Sequence, residues 1–196
     1  MNHKRMALIM ILFVLAAVLA GCSKAQVANE ALSEEFEDAP DWVLGEQSSE
    51  AGALTAVGSA KVGKGGVQFA RTEAMAHART ELSQQLAVKV KALVSNFSQQ
   101  VGMGEGQSLD MFTEQISKQV TNETISGSKQ KELWISPASD LYVLVCIDPE
   151  MVKASVKNRI ITSFKGDEIR WQKFQAQNGS DALDKEIEKT FGTEGK

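Results

Sequence analysis

The sequence predicts an α+β fold in which a sheet of about three strands, mainly antiparallel, packs against one long helix. Apolar residues recur every three or four positions over residues 67–101, which predicts an amphipathic helix. Residues 54–61 and 141–148 have the composition and the bounding turns of strands. A turn at residues 136–140 joins the second of these strands to the one before it, which predicts an antiparallel pair. The expected order of elements is β-α-α-β-β-α.

The first predicted strand and the long helix are joined by a turn rich in glycine. Leu54, Ala56 and Gly58 share one face of the strand, and the helix that follows contains neither proline nor glycine over residues 67–101. A straight helix of this length spans about 50 Å. Its stripe is rich in alanine at first and bulky later, which predicts a close approach to the sheet and then a wider gap. Because the stripe is longer than a small sheet covers, it also favours a surface for association.

The middle of the chain predicts a second, shorter helix and a pair of strands. Glycines at 102, 104 and 106 end the long helix. The residues that share one face of the next helix are Leu109, Phe112, Ile116 and Val120. A strand is expected over about residues 123–135, before the turn. The strand at 141–148 is apolar on both faces, which is typical of a covered strand.

The remaining residues predict helices. Asp148, Pro149 and Glu150 form a helix start, with an N-cap acceptor, a proline at the first position and an acid near the positive end of the dipole. We expect this helix to continue past Gly166. A last helix, beginning at Ser180, carries a small apolar stripe that docks on this domain or on a neighbour.

The amino-terminal residues are typical of a lipoprotein signal. A basic start precedes an apolar run at residues 6–20, which is too short to span a bilayer as a helix, since that needs roughly 20 residues. Leu19-Ala20-Gly21-Cys22 then resembles a bacterial lipobox, in which cleavage before the cysteine is followed by its acylation. We therefore expect residues 1–21 to be a signal peptide and Cys22 to carry acyl chains, palmitate among them.

The rest of the chain divides into three expected parts. Residues 22–39 are polar and acidic, and we interpret them as the acylated cysteine and a flexible tether. Pro40 and Trp42 mark the start of an α+β domain over residues 40–165, with the indole as an apolar anchor. Residues 166–196 form a helical C-terminal extension. Serine after the lipidated cysteine is consistent with delivery to the outer membrane, because aspartate there retains enterobacterial lipoproteins in the inner membrane.

Composition disfavours several classes of function. The net charge of −4 argues against nucleic acid as a charge-driven partner. Beyond the signal and Cys22, the chain has one histidine and one cysteine, a poor set for a His-based zinc site or a Ser/Cys–His hydrolase. We therefore predict a non-enzymatic protein with no catalytic residues, cofactor or metal. Cys146 is expected to be a small buried apolar residue, with an intermolecular disulfide as the alternative.

Charged residues on the long helix are the candidates for a site. His77 lies between Glu73 and Glu81, a spacing that would suit a metal, but three such residues on one helix are a weak signal and favour a solvated flank. Arg71, Glu73, Arg79 and Glu81 form local ion pairs or a subunit interface. We take these last four as the candidate interface residues.

Five short motifs together resemble one protein family. They are PDW at 40–42, AVGSA at 56–60, ARTEA at 70–74, ARTEL at 78–82 and YVLV at 142–145. With Cys22, they resemble the Lpp-twenty lipoproteins, small outer-membrane proteins of Gram-negative bacteria, over about residues 40–160. The resemblance implies a dodecin-like β-α-β-β core, an accessory role in the envelope and no catalytic residues. Some relatives are flagellar outer-membrane components that form or support a disk.

Two functions follow as expectations. The first is a lipid-anchored outer-membrane lipoprotein, facing the periplasm, that acts through contacts with copies of itself or with other envelope or flagellar proteins. The alternative is a periplasmic or surface module that binds a small ligand or an envelope polymer in a cleft between sheet and helices. Its sequence support is three scattered aromatic residues, Trp134, Tyr142 and Trp171, which should then converge on a pocket.

Overall fold

A computed structural model describes residues 34–45, 54–103 and 106–192. These residues belong to two compact units, each described by itself. The first contains the residues up to Ala39 together with Ser136–Ala138, and the Ser136 hydroxyl donates a hydrogen bond of 2.8 Å to the Glu35 carboxylate within it. The second unit contains Pro40–Ile135 and Ser139–Lys196. All the elements named below lie in this second unit.

Over its described residues the second unit is an α+β structure with three strands and five helices, the class that the sequence predicts. The strands are β1, Leu54–Lys61, β2, Lys129–Ile135, and β3, Asp140–Ile147. The helices are α1, Gly66–Gln100, α2, Gln107–Ile125, α3, Pro149–Lys165, α4, Glu168–Ala176, and α5, Gly179–Phe191. β3 lies between β1 and β2 and pairs antiparallel with both.

The N-terminal half of α1 packs closely on the sheet. Gly58 lies on the helix-facing side of β1, and a Cβ at this position would overlap the backbone of Ala74 and Ala78. The close approach predicted from the small residues at the start of α1 is thus observed, because glycine and alanine let the two backbones come together.

The C-terminal half of α1 packs on helices. Phe97 is fully buried and its ring lies 5.6 Å from that of Phe164 in α3 and 6.0 Å from that of Phe174 in α4. Helices α2 and α5 both contact α1. The apolar stripe of α1 is therefore covered along its length within one chain, and it does not supply the association surface that its length suggested.

The structure corrects two boundaries in the middle and at the end of the chain. The observed strand β2 is about half as long as the strand predicted over residues 123–135. The reason is that α2 extends to Ile125, with Thr124 buried on its inner face. The helix expected to pass Gly166 ends at Lys165. A new helix begins there because the Asp167 carboxylate accepts a hydrogen bond of 3.0 Å from the backbone N–H of Arg170.

The last helix docks on this domain, the first of the two outcomes that its stripe allowed. Leu183, Ile187 and Phe191 are buried. The carboxylate of Glu186, only 4% exposed, accepts hydrogen bonds of 3.0 Å from Asn96 and 3.3 Å from Gln100 on α1. A buried carboxylate requires such partners, so these bonds fix how α5 lies on α1.

Candidate functional site

The two arginines of the helix motif attach α1 to the start of β2. Arg71 donates through Nε to the side-chain oxygen of Gln130 at 2.7 Å. Arg79 donates through Nε to the hydroxyl of Ser128 at 3.1 Å. Both bonds lie within the chain, so these two candidate interface residues have a structural role in the described fold.

The two glutamates of the motif lie on the other flank of α1. Residues 71 and 73 are two positions apart, which places them on nearly opposite sides of a helix. Glu73 and Glu81 are exposed, and neither forms an ion pair with a described residue. Gln85 donates to the Glu81 carboxylate at 3.2 Å. The four candidate residues are therefore divided between two flanks and do not form one surface.

His77 lies between the glutamates and contacts the edge of the sheet. Its Nδ1 is 2.8 Å from the backbone oxygen of Ser59 in β1. Because a carbonyl oxygen only accepts, Nδ1 carries the hydrogen in this arrangement. Within residues 34–45, 54–103 and 106–192, no three His, Cys, Asp or Glu side chains are grouped to hold a metal ion.

A cavity of about 220 Å³ lies at the outer edge of β1, beside the glutamate flank. It is lined by three residues of β1, one of β3, two of α1 and the turn that contains Trp42. The lining residues are Trp42, Gly45, Thr55, Ala56, Val57, Glu81, Gln85 and Leu144. The cavity is thus built by elements far apart in the sequence, on a rigid helix and sheet.

Trp42 is the unusual member of this lining. The residue is 5% exposed, as expected of an anchor, but its indole Nε1–H is buried and has no hydrogen-bond partner. Most buried donors are paired, and an unpaired one costs about 1–3 kcal/mol.

The remaining residues singled out in the sequence lie elsewhere. Cys146 is partly exposed on the face of β3 opposite α1, not buried as expected, and its Sγ is 3.6 Å from the backbone oxygen of Lys129. The ring of Trp134 lies 5.5 Å from that of Tyr142, whereas Trp171 stacks on Phe174 at 5.0 Å. The three aromatic residues do not line the cavity at β1. Cys22 lies outside the described residues.

Hydrogen bonds and ion pairs between helices shift several pKa values, two of them at groups that join α3 to its neighbours. Hydrogen bonds from Ser155 and then Arg159 on α3 lower the pKa of Glu123 on α2 below 4.5. Hydrogen bonds to Glu188 on α5 and then Glu150 raise the pKa of Lys153 above 10.5. Both groups keep their charge at neutral pH, and they join the helices of the C-terminal part.

The described elements form a small helix-on-sheet domain with a cavity at the edge of β1. Residues 40–148 match the LPP20 lipoprotein family, so the chain belongs to this family, the one that its motifs resemble. The matched residues contain β1 to β3, α1 and α2, and the helices after Asp148 follow them. No curated protein matches the chain. No helix among the described residues is both long and apolar enough to cross a membrane.

Sequence reasoning found the helix motif but missed the cavity. Trp42 was singled out as an anchor, and Glu81 as an interface residue, without any sign that they lie close together. An exposed sheet edge is a recurring position for peptide binding, but the edge position of β1 follows from the strand order and not from its alternation.

Proposed function

We propose that this protein is a non-enzymatic lipoprotein, held on the periplasmic side of the outer membrane by acyl chains on Cys22, that acts through protein contacts in envelope or flagellar outer-membrane assembly. Membership of the LPP20 lipoprotein family carries this proposal. The order of Leu19-Ala20-Gly21-Cys22 after a basic and then apolar segment supports the anchor. Two or more acyl chains give stable attachment without a spanning helix.

The anchor is tested by metabolic labelling with a palmitate analogue in cells that produce the full chain. We expect Cys22→Ala to abolish the label and to release the protein from sedimented membranes, because no other residue receives the lipid. Cys146→Ser is the matched control and should keep both the label and the membrane attachment. Label retained by Cys22→Ala would contradict the anchor, and wild-type protein in the inner-membrane fraction of a density gradient would contradict the location.

The contacts are tested by isolating the acylated protein from gently cross-linked envelopes and identifying what is bound. Copies of this chain or envelope proteins are the expected result. Flagellar ring or disk proteins would support the narrower flagellar role, and a deletion strain with normal motility and intact motors would remove it. Cross-links to no protein at all would contradict action through contacts.

The alternative, a module that binds a small ligand or envelope polymer, has one observation in its favour. The cavity at β1 lies between sheet and helix, and its lining includes Trp42, whose buried indole N–H has no hydrogen-bond partner. Its volume of about 220 Å³ is below the 300–1,000 Å³ usual for ligand pockets. Copurification of cell-wall material alone, with no protein, would favour this alternative.

A further inference from the structure

We propose that the outer edge of β1, at the cavity beside Trp42, binds a short extended and basic segment of a partner protein, which adds a strand to the sheet. This inference rests on the proposed action through protein contacts and names the surface and the partner's chemistry. In strand addition, main-chain hydrogen bonds supply affinity and the pockets beside them select side chains.

Two hydrogen bonds determine which groups of β1 face outward. In an antiparallel pair, alternate residues direct both N–H and C=O to the neighbouring strand. The Val62 N–H donates to Ser139 at the start of β3, at 2.9 Å, so even-numbered positions bond toward β3. The bond of 2.8 Å from His77 to the Ser59 oxygen agrees with this assignment. It shows that the carbonyl of an odd-numbered residue points away from β3 and is reached from α1.

Thr55 and Val57 therefore direct their backbone N–H and C=O groups away from β3, and both residues line the cavity. No strand among the described residues pairs with this side of β1. His77 contacts the edge at Ser59, two residues beyond Val57, and so limits pairing to the stretch before it. Within the part of the chain that the structure describes, this stretch is unpaired by any strand, and its donors and acceptors have the alternation that an extended backbone matches.

The side chains around this stretch favour a particular segment. The largest side chain of the cavity lining is that of Trp42, so an added strand would lie beside an apolar aromatic ring. Glu73 and Glu81 stand along the same flank with no described ion-pair partner, so a lysine or arginine on the added strand would meet negative charge. The small volume suits a narrow backbone with a small side chain.

The same charges disfavour two other occupants. The chain's own residues 23–39 are acidic and would bring like charge toward Glu81. In a symmetric pairing of two copies through β1, the same surface meets itself, so the glutamate flanks of both copies would face each other. A basic segment of a different protein meets neither penalty.

The test uses the full acylated chain in detergent and a fluorescent peptide of alternating valine and lysine with capped ends. We expect an anisotropy increase on binding, together with a shift of the Trp42 indole resonance, assigned through Trp42→Phe. A peptide of alternating valine and glutamate should bind about tenfold more weakly. The valine–lysine peptide with N-methyl groups on alternate residues, which lacks the N–H groups of one edge, should bind about a hundredfold more weakly.

Variants of the chain test the same surface. Val57→Pro removes an outward N–H without removing a bond to β3, and should reduce binding about a hundredfold. Glu81→Lys should reduce it about tenfold, and Glu132→Lys, the same charge change on β2, should leave it unchanged. Circular dichroism shows whether Val57→Pro is folded. If it is not, Glu81→Lys and the N-methyl peptide still test whether a basic strand binds at the edge of β1.

The outcomes separate this inference from the proposed function. Equal binding of the ordinary and N-methyl peptides, or no shift of the Trp42 resonance, would overturn the inference. Envelope cross-links that persist in Val57→Pro and Glu81→Lys would also overturn it while leaving action through protein contacts in place. If the wild-type chain self-associates and Val57→Pro does not, the occupant of the β1 edge is a second copy of this chain, and the inference of a basic partner is wrong. A wild-type chain that cross-links to nothing would remove the proposed function itself.

Discussion

The apolar stripe of α1 is buried by different means in its two halves. The N-terminal half uses Gly58, Ala74 and Ala78 to bring helix and sheet backbones close together. The C-terminal half uses Phe97 in a cluster of aromatic rings contributed by α2, α3 and α4. Close approach leaves no room for added atoms, whereas a wide gap depends on large side chains to fill it.

This difference coincides with the limits of the family match. The close contact between β1 and α1 lies inside residues 40–148, as do the helix motifs. The aromatic half depends on Phe164 and Phe174, which lie beyond the matched residues. Helices α3 to α5 therefore complete a core that the matched segment leaves partly uncovered in this chain.

The largest expected effect is from Phe97→Ala in the aromatic half. The ring is fully buried among two other phenylalanines, so its loss should cost about 3–5 kcal/mol of the free energy of unfolding, measured by urea titration. Phe69→Ala is the matched control on the same helix, because Phe69 is 65% exposed, and should change the free energy by less than about 0.5 kcal/mol. Equal losses of unfolding free energy in the two variants would show that the aromatic cluster does not stabilise this half of the helix.

Gly58→Ala should have the next largest effect on the free energy of unfolding, in the half where α1 and the sheet lie close together. The added methyl group would overlap backbone atoms of Ala74 and Ala78, and overpacking of this kind costs about 1–3 kcal/mol. Gly63→Ala, which meets nothing within 4 Å, is the control. If both substitutions left the urea midpoint unchanged, helix and sheet would not approach as closely as described.

Glu186→Ala should cost about 1–3 kcal/mol, because Asn96 and Gln100 would lose a buried acceptor. A double-mutant cycle with Asn96→Ala, read from the same urea titrations, should give a coupling energy of about 1 kcal/mol. Strictly additive losses would mean that this bond does not hold α5 on α1.

The smallest effect concerns Glu123 between α2 and α3. Its lowered pKa means that the carboxylate stabilises the fold above pH 4.5, and that this contribution is lost as the pH falls from 4.5 through the lowered value. Wild type should exceed Glu123→Gln in stability by less than about 1 kcal/mol at neutral pH, since the pair is exposed. The gap should close as the pH falls below the lowered pKa of Glu123. A gap that stays constant, or an equal one for Glu132→Gln, would contradict this ion-pair effect.

Much of the fold follows from local patterns. The spacing of apolar residues predicts α1 within one residue at each end, and the alternation at residues 54–61 predicts β1 with its observed bounds. The end of α2 was harder, because Thr124 and Ile125 favour strands intrinsically, while burial of Thr124 against the core keeps them helical. Local propensity is a weak guide where a tertiary contact competes with it.

The sequence by itself determined the α+β class, the register of the long stripe, the lipobox prediction at Cys22 and the family. These depend on residues close together along the chain, whose spacing local geometry controls. Only the tertiary structure decided that α5 docks on α1, that Arg71 and Arg79 bond to residues at the start of β2, and that Trp42 and Glu81 line one cavity at the edge of β1. Those outcomes depend on contacts between distant residues, which the packing of the whole core determines and no short pattern records.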